Sequence, residues 1–137
     1  MGEKIQLENI RYYENPQYES TGILHSLFYA AEEMNSPTVV IYSDVLFHKN
    51  IIDMLIEIDE SAEEDIVLVV EDGYQYYKNE IERDLDLVIT DDKSVSIRRI
   101  TNRIEEKVLR IGNKIDKDSA DYEFVGIAYF SDKGIYG

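Results

Sequence analysis

The chain has 137 residues, 44% hydrophobic and 31% charged, which excludes disordered and fibrous classes and allows one real hydrophobic core. With 29 acidic against 14 basic residues the net charge is −15, the opposite of the basic surface that nucleic acid rewards. No apolar run approaches the roughly eighteen residues that cross a bilayer. The start MGEKIQLENI lacks the apolar core of a signal peptide, and the absence of cysteine fits a reducing cytoplasm.

The charge is uneven. Residues 98–137 sum to +1 and residues 1–97 to −16. A protein that handles nucleotide phosphates ordinarily offers cations, so this excess of carboxylates calls for a bridging divalent metal, basic segments elsewhere, or a different function.

Residues 5–13 read as a short strand or extended entry segment, and NPQY at 15–18 as a turn, because Pro16 biases Asn15 away from helix. Ser20 and Thr21 are N-cap candidates. Ile23, Leu24, Leu27, Phe28, Ala31 and Met34 then follow at helical spacing until Asn35 and Pro37. TVVIYS at 38–43 is a β-branched apolar run of the kind buried in a parallel sheet, ended by Asp44. A helix is expected over 50–58 and a second buried strand over 66–70. Helix, strand, helix, strand predicts an α/β fold, a parallel unit with right-handed crossovers. Segments 85–90, 94–101, 107–112 and 122–130 read as additional antiparallel strands, with DDK at 91–93 as a hairpin turn. No linker justifies a second domain. The first helix follows no clear buried strand and the last strand precedes no closing helix, so both ends read as cut.

The chemistry-bearing stretch runs from Glu14 to Phe47. Ser20, Thr21 and Gly22 open a helix whose free N–H groups suit an anion or the edge of a base. Gly22 permits close approach of a flat ring. Ligands of open α/β sheets sit beyond the carboxyl ends of strands, where Asp44 is expected. Magnesium takes one or two carboxylates plus substrate phosphates, so one such Asp is chemically sensible. Against this, most such helix starts are plain caps, and an Asp after a strand is often a turn residue.

The order Asn15, Tyr18, Thr21-Gly22, Ser26-Leu27, Ser43-Asp44-Val45 and Tyr122-Glu123-Phe124-Val125-Gly126-Ile127 resembles the nucleotidyltransferase superfamily. The nearest flavour is its phosphocholine and phosphonate cytidylyltransferase-like branch, also found fused to phosphoenolpyruvate phosphomutase. The resemblance covers most of residues 10–134. It implies a Rossmann-like nucleotide-binding fold, a mostly parallel sheet flanked by helices, and Mg2+-dependent transfer of a nucleotidyl group from a nucleoside triphosphate (CTP or UTP) to a small phosphate or phosphonate acceptor, releasing pyrophosphate. It further implies that Asp44 ligates magnesium, that Asn15, Thr21, Gly22 and Ser26 form the nucleotide side, and that Glu123 and Gly126 border the acceptor. The chain departs from the family's text in two substitutions, Gly22 for Asn and Ser43 for Gly. It also lacks the Gly-rich Arg/Lys loop that grips the triphosphate and a second metal-binding Asp. A single nucleotidyltransferase-like domain, incomplete at both ends and inactive alone, is therefore the expectation.

Other groups read as structural. His25 is expected on a helix surface and His48 as a post-strand or capping residue. Tyr12, Tyr13, Tyr74, Tyr76 and Tyr77 read as packing or interface residues, the run Asp59, Glu60, Glu63, Glu64, Asp65 as a solvated loop, and Arg98, Arg99, Arg103, Lys107 and Arg110 as a solvent face. The alternative function is a non-catalytic α/β binding or oligomerisation module, with self-association through exposed sheet edges. A flavodoxin-like domain is disfavoured, because no phosphate loop follows a first strand.

Overall fold

A computed structural model describes residues 8–57, 65–80, 82–91 and 106–136. The chain divides into two compact units, Met1–Ser36 and Pro37–Gly137.

In the first unit, residues 8–13 form no strand. The turn over 15–21 leads into helix α1 (Ile23–Phe28), followed by a 3₁₀ turn at Ala31–Glu33. The helix expected to run on to Met34 thus breaks after Phe28. None of its residues is buried, so periodicity alone carries it, and six residues are too few for a stable helix without packing.

The second unit is built on a five-stranded sheet. Its strands are β1 (Thr38–Ile41), β2 (Ile66–Glu71), β3 (Leu87–Thr90), β4 (Val108–Gly112) and β5 (Tyr122–Phe130). Helices α2 (Lys49–Ile56), α3 (Tyr74–Tyr77) and α4 (Asp132–Tyr136) complete it. The expected strand at 94–101, most of the turn at 91–93, and Arg98, Arg99, Arg103, Asp59, Glu60, Glu63 and Glu64 lie outside the described residues.

The expectation of a Rossmann-like, mostly parallel sheet is overturned, because every strand pair is antiparallel. β5 bonds to β2 along one edge and to β1 and β3 along the other, and β3 carries β4 outward. β1 and β2 both run against β5 and therefore share a direction. They are joined through α2, as expected, but the strand between them is β5 returning the other way. The error has a physical source. A β-branched apolar run reports strand propensity and says nothing about which strand lies alongside, and neither run is buried on both faces as expected, Ile41 and Ile66 being exposed.

α2 covers one face of the sheet. Ile51, Ile52 and Leu55 meet Val39 of β1, Val67 and Val69 of β2, and Val125, Ile127 and Tyr129 of β5. His48 caps α2 by accepting the Asn50 backbone N–H. A second cluster gathers Leu85, Leu87, Ile115 and Ala120, with Tyr77 and Ile89 against it. α3, rich in tyrosine, is unexpected from propensity. Its surroundings hold it, through Gln75 Nε2 donating to the Ala120 carbonyl at 2.8 Å and Lys78 paired with Asp118 at 2.6 Å.

α4 turns back against the start of β2. The Asp65 carbonyl accepts from the Ser131 backbone N–H at 2.9 Å and its hydroxyl at 3.2 Å. Ser131 Oγ in turn accepts the Gly134 N–H at 3.2 Å. A Cβ on Gly134 would stand 2.0 Å from the Asp65 carbonyl oxygen, a backbone atom that cannot yield cheaply. Gly134→Ala is therefore expected to lower unfolding stability by about 1–3 kcal/mol, measured by denaturant titration. An unchanged midpoint would show that α4 does not pack there.

Candidate functional site

The residues singled out in the first unit converge. Asn15 Nδ2 donates to Thr21 Oγ1 at 2.8 Å and to Ser26 Oγ at 3.0 Å, while Asn15 Oδ1 accepts the Gln17 N–H at 2.9 Å. Thr21 Oγ1 donates to the Gln17 carbonyl at 2.8 Å. Both amide hydrogens of Asn15 are thus committed, and the side chain fastens the 15–21 turn to α1. A shallow, open depression of about 500 Å³ lies beside it, lined by Tyr13, Glu14, Asn15, Pro16, Tyr18 and Ser26.

Neither Ser20 nor Thr21 caps α1. Gly22 occupies the N-cap position with no side-chain bond there. Its φ of −79° needs no glycine, and a Cβ would meet nothing within 4 Å. A flat group can approach this backbone, yet α1 is too short to supply the helix dipole that its start seemed to offer. His25 lies on the exposed helix surface, edge-on to Tyr29 with ring centres 5.8 Å apart.

One wall residue, Tyr13, belongs to a cluster that the sequence did not reveal. Arg11 Nη1 donates to Glu33 Oε2 at 2.6 Å, and the Tyr13 hydroxyl donates to Glu33 Oε1. The Arg11 bond chiefly, with the Tyr13 bond second, holds the Glu33 carboxyl below its ordinary value of 4.5.

In the second unit, Asp44 follows β1 at the turn after Tyr42. Its carboxylate is exposed and makes no hydrogen bond or ion pair among the described residues. Here the turn closes through backbone alone, the Val45 N–H reaching the Tyr42 carbonyl at 3.4 Å.

Gly126 is tied to this turn although it lies far along the chain. The Tyr42 N–H donates to the Gly126 carbonyl at 2.8 Å. Gly126 has φ +83°, and a Cβ there would come within 2.5 Å of the Tyr42 ring. Opposite, the pairing with β2 slips between Leu68 and Val70, so β5 bulges where Tyr42 packs. The Tyr42 ring also meets Phe124 edge-on at 5.8 Å. Burial, then the Asp86 charge, pushes its phenol pKa up.

Glu123 sits elsewhere on β5, only 5% exposed. Arg83 Nη2 donates to its Oε1 at 2.7 Å, and the Tyr77 hydroxyl reaches its Oε2 at 3.4 Å. Its cross-strand neighbour is Glu71, which accepts from the same hydroxyl at 2.8 Å. Burial first, then the hydrogen bond to Glu71, drives the Tyr77 phenol pKa far up, so it stays a donor between two carboxylates. Glu123 is therefore already ion-paired. Tyr77 was expected to pack, which it does, but its bonds to the two carboxylates were not, and Arg83 and Tyr42 were not singled out, although an aromatic next to Ser43-Asp44 was the one available hint.

No group of three or more His, Cys, Asp or Glu able to hold a metal occurs among the described residues. Magnesium does not require one, because substrate phosphates and water complete its shell. No helix of the described residues is long and apolar enough to cross a membrane. No protein family, curated protein or solved structure matches the chain.

Two measurements test these assignments. Gly126→Ala adds left-handed strain and a ring clash, and is expected to cost about 2–3 kcal/mol in denaturant unfolding. An effect below ~0.5 kcal/mol would refute the packing. Glu33, whose pKa is lowered on folding, contributes stability above about pH 4.5 that is lost as pH falls through the folded value. An NMR titration of its side-chain carboxyl should give a midpoint below 4.5 that rises in Arg11→Gln. An unshifted midpoint would show that the cluster does not form.

Proposed function

We propose that this chain carries part of a magnesium-dependent nucleotidyltransferase acting on a small phosphate or phosphonate acceptor. The observation that carries the reading is the joining of Ser43-Asp44-Val45 to Gly126 through Tyr42. Two segments singled out by resemblance, far apart in sequence, meet there, and the meeting point leaves one carboxylate unspent.

Asp44 would hold magnesium, which neutralises charge on the oxygens of the transferring phosphoryl group. Gly126, by lacking a Cβ, lets Tyr42 pack against β5 and so sets where the Asp44 turn ends. Glu123, fixed by Arg83 and Tyr77, borders the acceptor as a positioned wall. Asn15 orders the turn that presents Thr21 and Gly22 to a base. Cytoplasmic location belongs to the same proposal.

A second reading, a non-catalytic binding or oligomerisation module, is favoured by the committed state of Asn15 and Glu123. Both spend their polar groups on the protein itself.

Backbone NMR shifts during titration with magnesium and CTP or UTP separate the two. The enzyme reading expects magnesium-dependent shifts at Ser43–Val45 and Gly126. In Asp44→Asn the apparent magnesium affinity should fall at least tenfold, about 1.4 kcal/mol. An identical response in parent and variant refutes Asp44 as ligand, and no nucleotide-dependent shift at all supports the module.

A further inference from the structure

Among the described residues β1, β2 and β4 each leave an outer edge unpaired, and the margins at β4 and β2 carry opposite charge. β4 lies at one margin, bonded only to β3, and its apolar residues face solvent: Val108 is 44% exposed, Leu109 61% and Ile111 49%. The eight residues from Lys107 to Lys114 carry Lys107, Arg110 and Lys114 and no acid. β2 lies at the other margin, bonded only to β5, with Ile66 47% exposed. The eight residues from Asp65 to Asp72 carry Asp65, Glu71 and Asp72 and no base. Among the described residues, no strand pairs with the outer edge of either.

The geometry points to head-to-tail self-association, with β4 of one copy pairing along β2 of the next. Charge complementarity selects this occupant. β4 against β4 would oppose lysines and arginine, and β2 against β2 would oppose carboxylates, each destabilising across a strand pair. β4 runs with β5, whereas β2 runs against it, so a second copy placed beside the first in the same orientation pairs antiparallel. In that alignment the basic residues that flank β4, Lys107 and Lys114, lie toward the acidic residues that flank β2, Asp72 and Asp65. The exposed β4 side chains Val108, Leu109 and Ile111 then lie along β2, covering apolar surface now in water. Such a contact is heterologous, so growth continues past the dimer into a ring or an open row. The inference is independent of the nucleotidyltransferase reading and holds for either function.

The test is light-scattering mass against concentration for the full chain, using charge-swapped variants. The parent is expected to gain mass beyond a dimer with concentration. Lys107→Glu with Lys114→Glu, and separately Asp65→Lys with Asp72→Lys, should each weaken association at least tenfold, with circular-dichroism melts confirming folding. Mixing the two variants should restore it, because each then meets a complementary edge. If one variant fails to fold, the other mixed with parent decides: Asp65→Lys with Asp72→Lys offers no acidic edge and caps growing rows, and Lys107→Glu with Lys114→Glu offers no basic edge and does the same. A parent that stays monomeric at all concentrations overturns the proposal. So does association that stops at a dimer, or a mixture that remains as dissociated as its parts.

Discussion

The second unit depends on one strand being hydrogen-bonded along both edges. β5, nine residues long, meets β2 on one side and β1 and β3 on the other. Its residues Ile127, Ala128 and Tyr129 are all buried, and so are Tyr122 and Glu123. A buried backbone must satisfy its N–H and C=O groups, and β5 can do so only with neighbours on both sides. β1 and β2, short and not fully buried themselves, are sheet strands because β5 lies between them.

That arrangement also shapes the site. A strand paired on two edges has little room for irregularity, yet β5 carries one at Gly126, where Tyr42 of the β1 exit seats itself. The residue needing no side chain thus sets the end point of the strand that delivers Asp44. Charge is handled differently at the other end of β5. There Glu71 and Glu123 face each other across the ladder, and Arg83 and Tyr77 offset a repulsion that would otherwise weaken it.

Much of the local structure was legible in the sequence. The apolar runs at 38–43 and 66–70 and the helix between them appear where their patterns put them, and His48 caps as its position implied. What lay between β1 and β2 was not legible, because the deciding residues, Thr38–Ile41 and Ile127–Phe130, are distant in the chain and carry no mark of their pairing. α1 forms but stops short for a different reason. Its spacing is helical as far as Met34, but none of its residues is buried, so no packing extends it past Phe28. Asn15, Thr21 and Ser26, singled out together in the sequence, do meet, but by bonding to one another and to the turn. The ion pair at Glu123 was hidden because nothing near Arg83 in the chain indicates its partner.

The position of β5 in the order of synthesis has a kinetic side. β1, α2 and β2 emerge early but have no edge to pair with until residues 122–130 arrive, so the central ladder consists of contacts between distant parts of the chain. Such closure is slow, because loop entropy must be surrendered before those contacts repay it. During that interval the β-branched stretches TVVI and IVLVV stand with unpaired edges and no covering strand. They are the segments on which a nascent chain of this protein is most exposed to capture by chaperones or by its own copies.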